Sequence, residues 1–504
     1  MDLSDLIDRN AAFAPDKAAI RFADRTLTYA GFARRIADAA RALKSQWGIA
    51  PGDRVAVLAF NRPDTLVLLY ACARLGAMLV PINWRLAVPE QLYILNDASV
   101  KALAVEQALA GAVAPLRQAR SDLHVAGLDF TPDGGTTFDA LLEGSTGDGR
   151  AISADFNAPL LIVYTSGTTG RPKGAVLRQD ALIANATMSQ HLHDMTADDH
   201  VLTVLPIFHV GGLNIQTTPA LQLGATVTLH SRFAPGPVLE AIERERPTLT
   251  VLVPATIQAV IEHPRWKETR LDSLRAVATG STQVPQHLVD VIAARGVPVL
   301  NVYGSTETCP IAVYTRRSGD WRRTGSSGLP GLLCEARIVD DNDSEVIAGQ
   351  AGEVVVRGRN VFTEYWGDAK ATAETLRDGW YHSGDIGTRD ADGYFTIHER
   401  KQNLIISGGE NIYPAEVERV LLAHPAVAEA AVVGAADAKW QEVPVACIVR
   451  RVGVEADPAE IERFCLKELA RYKVPRRYVF LDELPRNALG KVQHFRLKQQ
   501  IAME

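Results

Sequence analysis

Residues 164–174 read YTSGTTGRPKG, a short stretch that gathers the hydroxyls of Thr165, Ser166, Thr168 and Thr169 around Gly167 and Gly170 and closes on Lys173. This is the composition a polyphosphate cradle needs. Glycines let the backbone approach phosphate oxygens and adopt the conformations of an anion-binding nest, hydroxyls donate hydrogen bonds, and the lysine adds positive charge. A plain surface turn is the competing reading. Against it, the stretch follows the apolar run 159–163, and α/β sheets keep their ligands at strand ends. It is not a Walker A loop, because Pro172 and Gly174 flank Lys173 where that motif requires Gly before the lysine and Ser or Thr after it.

Four other stretches carry groups capable of chemistry. Residues 301–308, NVYGSTET, bring Tyr303, Gly304, Thr306 and Glu307 to the end of another apolar run. Magnesium bridging phosphates is usually held by one or two carboxylates, and a lone Glu is otherwise a surface charge. In residues 380–385, WYHSGD, Asp385 is an acceptor-only carboxylate suited to a vicinal diol, or else an ordinary turn residue. His209, in PIFHVGG, reads by itself as a core histidine. Lys491, in LPRNALGKV, reads by itself as a solvated turn lysine.

In this order along the chain, these segments resemble the adenylate-forming superfamily, which includes acyl-CoA synthetases, beetle luciferases and peptide-synthetase adenylation domains. The resemblance runs from the Leu27-Thr28-Tyr29 segment to Lys491. It implies that residues 165–170 and Lys173 cradle the phosphates of ATP, and that Ser281, Tyr303 and Gly304 border the adenine. It further implies that Thr306 contacts the α-phosphate, Glu307 holds Mg²⁺, Asp385 accepts from the two ribose hydroxyls, and Arg400 makes a second contact to the ribose or a phosphate. His209 would gate the acyl tunnel. It need not act as a base, since a carboxylic acid is already ionised at neutral pH.

Lys491 would place an ammonium between the attacking carboxylate and the α-phosphate. Donors of this kind typically contribute about 10²–10³ in rate. A second half-reaction would then pass the acyl group from AMP to the thiol of coenzyme A. The resemblance implies that a small domain turns about Gln402 to bring Gly408 and Gly409 to the site, and one or a few residues can absorb such a hinge motion. Two positions depart from the pattern. Gln402 stands where Lys or Asp is usual, and Gly280-Ser281-Thr282-Gln283 replaces a GGAP-type segment, putting polar groups beside the expected adenine and acyl pocket.

Positioning these groups requires an α/β scaffold. Residues 18–28 read as a hairpin, 29–47 as an amphipathic helix, and 55–58, 79–82, 201–205, 226–229, 248–253, 276–279 and 299–302 as apolar strands alternating with helices, which predicts parallel sheets. Residues 107–157 read as a variable surface region, and short strands with turns follow Gly325. The expected architecture is a large N-terminal AMP-binding domain, 1–398, of two doubly wound α/β subdomains plus a small β-rich subdomain. A hinge at 399–402 and a small mobile α+β domain, 403–504, would follow.

With 504 residues, 47% hydrophobic and 22% charged, and a formal net charge of −6, the chain has the composition of a soluble multidomain protein. That charge gives no argument for nucleic acid or for an anionic membrane. No apolar run reaches the ~20 residues of a membrane span. The acidic, polar start is unlike a signal peptide, and five scattered cysteines suit reduced thiols in a cytoplasm. The expected enzyme is an AMP-forming acyl-CoA synthetase using ATP, Mg²⁺ and coenzyme A on a medium- or long-chain fatty acid. An aryl acid, a carrier-protein acceptor and a non-catalytic nucleotide binder are the alternatives, and a homodimer is left open. No cation follows His209 in Val210-Gly211-Gly212-Leu213, so the acyl tail should be neutral.

Overall fold

The computed structural model describes residues 1–151, 154–165, 172–280, 284–319, 321–323, 325–407, 410–437, 440–454, 457–469, 471–486, 490 and 492–503. They form two compact units, one of residues 1–336 with 356–381 and the other of residues 337–355 with 382–504. No helix among the described residues is long and apolar enough to cross a membrane.

The first unit is built on two large sheets. In one, six parallel strands lie in the spatial order Val299–Tyr303, Ala276–Gly280, Leu249–Val251, His200–Thr203, Thr226–Leu229 and Ala18–Phe22, with short antiparallel strands at both edges. In the other, Lys173–Arg178, Pro159–Thr165, Met78–Pro81, Arg54–Leu58, Ala102–Val105 and His124–Gly127 are neighbours in that order. The expected hairpin and parallel strands are therefore present, as the apolar runs between helices require.

Residues 107–157 correct the expectation of a loose surface region. They contain the helices Val113–Ala119 and Phe138–Glu143 and two strands, His124–Gly127 and Thr136–Thr137, that extend the second sheet. Val125, Leu116 and Val113 belong to a buried core with Leu103, Val105 and Ile162.

Local chemistry fixes the helices. Helix Tyr29–Trp47 starts where Thr28 accepts from the Gly31 amide and stops where Gly48 takes a left-handed conformation, and it buries Phe32, Ile36, Ala39, Ala40 and Leu43. Helix Pro63–Leu75 begins with Pro at its first position and is buried on nearly every side. Its two charges are matched: Asp64 meets Arg35 at 2.8 Å and Arg62 at 2.9 Å, and Arg74 meets Asp8 at 2.6 Å. Pairing is what makes such burial tolerable.

The second unit carries a smaller sheet in the order Glu410–Ile412, Ile405–Ser407, Gln441–Arg450 and Val427–Asp437, with Arg477–Leu481 parallel to Gln441–Arg450. Helices Pro414–Leu422 and Pro458–Glu468 pack Val417, Leu421, Ile461 and Cys465 against Ile405, Val432 and Ile448. This is the α+β arrangement expected of the C-terminal part.

Candidate active site

In the first unit the phosphate-loop sequence joins two antiparallel strands. Pro159–Thr165 and Lys173–Arg178 pair so that Thr165 faces Lys173 and Tyr164 faces Gly174. Ser166, Gly167, Thr168, Thr169 and Gly170, between them, lie outside the described residues. Gly174 is required by packing, since a Cβ there would sit 2.7 Å from the Ile162 side chain. The neighbouring strand Glu364–Tyr365 pairs with Lys173–Arg178 and sets Tyr365 opposite Ala175. The Lys173 ammonium consequently stands over the Tyr365 ring, 5.3 Å from its centroid.

The second motif follows strand Val299–Tyr303. The chain passes so close to itself at Gly304 that a Cβ would fall 1.8 Å from the Pro310 carbonyl oxygen. A 3-10 turn, Thr306–Thr308, comes next, closed by the Ser305 amide donating to Thr308 Oγ1 at 2.9 Å. Thr306 and Glu307 are buried. The Glu307 carboxylate accepts from the Tyr365 hydroxyl at 2.8 Å on Oε1 and from the Tyr381 hydroxyl at 3.4 Å on Oε2. Ser305 Oγ in turn donates to the Tyr381 oxygen at 3.0 Å.

The structure thus brings Lys173 over the ring and Glu307 to the hydroxyl of one tyrosine, Tyr365. Sequence reasoning missed both tyrosines. They lie 58 and 74 residues from Glu307, and no local pattern announces a contact set by sheet register. Among the described residues no cation pairs with Glu307. A buried carboxylate that accepts from two phenols is an oxygen-donor ligand already oriented, and that fits Mg²⁺ bound on a nucleotide.

His209 caps the short helical turn Val210–Gly212, its Nδ1 accepting from the Gly211 amide at 3.1 Å. Part of the residue remains accessible, yet the surrounding protein excludes enough water from the ring to push its pKa down to about 4. The neutral imidazole therefore behaves as a polar wall. Gly280 ends strand Ala276–Gly280, where a Cβ would lie 2.2 Å from the Val302 carbonyl oxygen. Ser281, immediately after it, lies outside the described residues.

In the second unit, Asp385 and Arg400 face each other across the antiparallel strands Trp380–Arg389 and Phe395–Arg400. Asp385 Oδ1 is 2.6 Å from Arg400 Nε. The adjoining Gly384, at φ +68°, donates to Glu353 Oε1 at 3.0 Å. Gln402 sits in the 3-10 turn Lys401–Asn403. Gly408 and Gly409 lie outside the described residues, between strands Ile405–Ser407 and Glu410–Ile412, which pair Ser407 with Glu410.

Lys491 also lies outside the described residues, but its flanks are fixed. Arg486 and Val492 form an antiparallel bridge, Arg486 donates to the Gly490 carbonyl at 2.7 Å, and the same guanidinium pairs with Glu429 at 2.7 Å. In the basic stretch 471–477, RYKVPRR, Lys473 is paired with Glu416 at 2.7 Å.

Residues 7–366 match the AMP-binding enzyme family and residues 416–491 its C-terminal domain, so the chain belongs to the adenylate-forming enzymes. It is 48% identical to an indoleacetate–CoA ligase of Aromatoleum aromaticum, covering all of this chain and 98% of that one. It is 40% identical to a feruloyl-CoA synthase of an Amycolatopsis species, over 96% of each. The o-succinylbenzoate CoA synthetase of Bacillus subtilis, solved with its acyl-adenylate intermediate, superposes with a TM-score of 0.87 at 32% identity, over 98% of this chain and 97% of that one. The protein is an AMP-forming acid–thiol ligase, for which the family implies ATP, coenzyme A and a small carboxylic acid as substrates.

Proposed function

We propose that the acid is aromatic, with its carboxylate carried on the ring or on a short spacer, and that its coenzyme A thioester is the product. The carrying observation is full-length similarity at 48% and 40% to ligases named for indoleacetate and ferulate. Supporting it, the segment after His209 offers no cation and the imidazole is held neutral, so the tail meets an uncharged wall. A medium- or long-chain fatty acid, favoured by the sequence, suits a neutral wall as well and is decided by experiment.

The carboxylate attacks the α-phosphorus, pyrophosphate leaves, and the mixed anhydride forms. The coenzyme A thiol then attacks the acyl carbonyl and AMP leaves. In this reading Lys173 and residues 165–170 neutralise the phosphates, Tyr303, Gly304 and Ser281 border the adenine, and Thr306 contacts the α-phosphate. Glu307 holds Mg²⁺, which when bound neutralises phosphate charge. Asp385 and Arg400 bind the ribose side, and Lys491 stabilises charge during adenylation. Residues 403–504 turn about Gln402 so that Gly408 and Gly409 serve thioester formation. Free cysteines suit the reducing cytoplasm that supplies these substrates.

The test is pyrophosphate release and thioester formation across benzoate, arylacetates, cinnamates and fatty acids of graded length, each with and without coenzyme A. Turnover that needs coenzyme A and peaks on an aromatic acid is expected. A peak on a fatty acid would replace this reading with the fatty-acid one, and adenylate that coenzyme A fails to discharge would point to a carrier protein.

A further inference from the structure

We propose that Glu353 is a positioning residue for the nucleotide: acting through the backbone at Gly384, it aims the Asp385 carboxylate and so sets how strongly the enzyme prefers an intact ribose diol. This rests on the reading above in which Asp385 meets the ribose. Glu353 lies on strand Ala351–Gly358, the neighbour of strand Trp380–Arg389 that carries Asp385. Glu353, Val354, residues 382–385 and residues 400–401 all belong to the second unit.

Gly384 turns left-handed, at φ +68°. With no side chain to restrict its dihedrals, the direction the chain takes into Asp385 must be fixed by other groups. The peptide planes on both sides of Gly384 are pinned to the same neighbouring strand. The plane before it is held by the Gly384 amide, which donates to Glu353 Oε1 at 3.0 Å. The plane after it is held by the Asp385 amide, which donates to Ser383 Oγ at 3.0 Å, and that hydroxyl donates on to the Val354 carbonyl oxygen at 2.6 Å. Glu353 and Val354 are consecutive, so one dipeptide fixes both planes. Arg400 then holds the carboxylate itself, its Nε 2.6 Å from Asp385 Oδ1.

The second oxygen of Glu353 faces cationic groups. Oε2 lies 3.6 Å from His382 Nδ1 and 3.8 Å from the Lys401 ammonium, which keeps Oε1 turned towards Gly384. Glu353 is 9% exposed and Ser383 5%, so water does not readily replace either acceptor. An amide N–H that loses its acceptor away from water is costly, and an apolar side chain at 353 would release the Gly384 peptide from this geometry. Binding groups must be held to within about 0.5 Å of the productive arrangement, and a carboxylate accepting from two vicinal hydroxyls tolerates little swing.

The experiment measures kcat/KM for ATP, 2′-deoxyATP and 3′-deoxyATP by pyrophosphate release, in wild type, Glu353→Leu and Glu353→Gln. Wild type is expected to favour ATP about 10-fold or more over at least one deoxynucleotide, because a charged acceptor is then left without its donor. Glu353→Leu is expected to bring that ratio near one, chiefly by raising the KM for ATP. Glu353→Gln, whose amide oxygen can still accept from Gly384, is expected to keep the ratio within a few-fold of wild type. Equal losses on all three nucleotides in folded Glu353→Leu overturn the proposal and leave Glu353 a purely structural residue. A Gln variant as unselective as the Leu variant also overturns it, because the charge facing His382 and Lys401 would then matter and not the hydrogen bond. Should Glu353→Leu not fold, Glu353→Asp, which draws the acceptor back by one methylene, must lower the ratio, and an unchanged ratio overturns the proposal. A ratio that collapses in Asp385→Asn but not in Glu353→Leu leaves the ribose reading standing and removes this proposal alone. A wild-type ratio near one for both deoxynucleotides removes both.

Discussion

The Tyr365 hydroxyl donates to Glu307 Oε1 at 2.8 Å while its ring lies 5.3 Å from the Lys173 ammonium. One side chain therefore touches both the carboxylate proposed for Mg²⁺ and the cation proposed for phosphate. Tyr365→Phe keeps the ring and removes only the donor. Groups that orient a metal-binding carboxylate typically contribute about 10–100-fold in metal affinity, so the Mg²⁺ concentration for half-maximal pyrophosphate release should rise by about 10-fold at the lower end of that range. Tyr381, at 3.4 Å from the other oxygen, retains a partial hold. An unchanged Mg²⁺ titration would show that Tyr365 does not position Glu307 for the metal.

Asp385 and Arg400 form a 2.6 Å ion pair across two strands, so neither acts alone. Asp385→Asn preserves shape and one acceptor oxygen but removes the charge, and should raise the KM for ATP by about 10-fold, the size of one lost charge-assisted hydrogen bond. Adding Arg400→Gln should cost less than the same change costs in wild type, because its partner is already neutral. Fully additive losses would mean that the two side chains meet ATP independently.

The sequence exposed whatever depends on local periodicity. Helix Tyr29–Trp47 has a capping Thr28, a buried stripe and a terminal Gly48, and the parallel strands are short apolar runs between helices. Strands His124–Gly127 and Thr136–Thr137 were hidden because HVAG and TT are not the apolar runs that marked the other strands, and their place in the sheet comes from long-range pairing. The same cause concealed Tyr365 and Tyr381, which reach Glu307 only after the sheet register is set.

Lys491 is the sharpest test of the two half-reactions. Its neighbours hold themselves in place through the Arg486–Val492 bridge and the Arg486–Glu429 pair, so Lys491→Ala should leave the fold of the second unit intact. Adenylation, measured by pyrophosphate exchange, should fall by about 10²–10³. Thioester formation from a supplied acyl-adenylate should stay within a few-fold of wild type. Equal loss in both assays would remove the lysine from its proposed role.

His193 gives the protein a predictable acid sensitivity. Its folded pKa, pushed to about 4 by burial, lies below the ordinary 6.5. Between those values the unfolded chain binds a proton that the native ring refuses, so stability is complete above pH 6.5 and falls as the pH drops towards 4. A fully buried imidazole with this shift sets the loss at roughly 3 kcal/mol. His209 acts in the same direction, though its partial exposure reduces the effect. His193→Gln removes the titration. Between about pH 7.5 and pH 5 the Tm of the variant should fall less than that of wild type, as the linkage between protonation and folding requires. Parallel declines would mean that the native ring accepts its second proton.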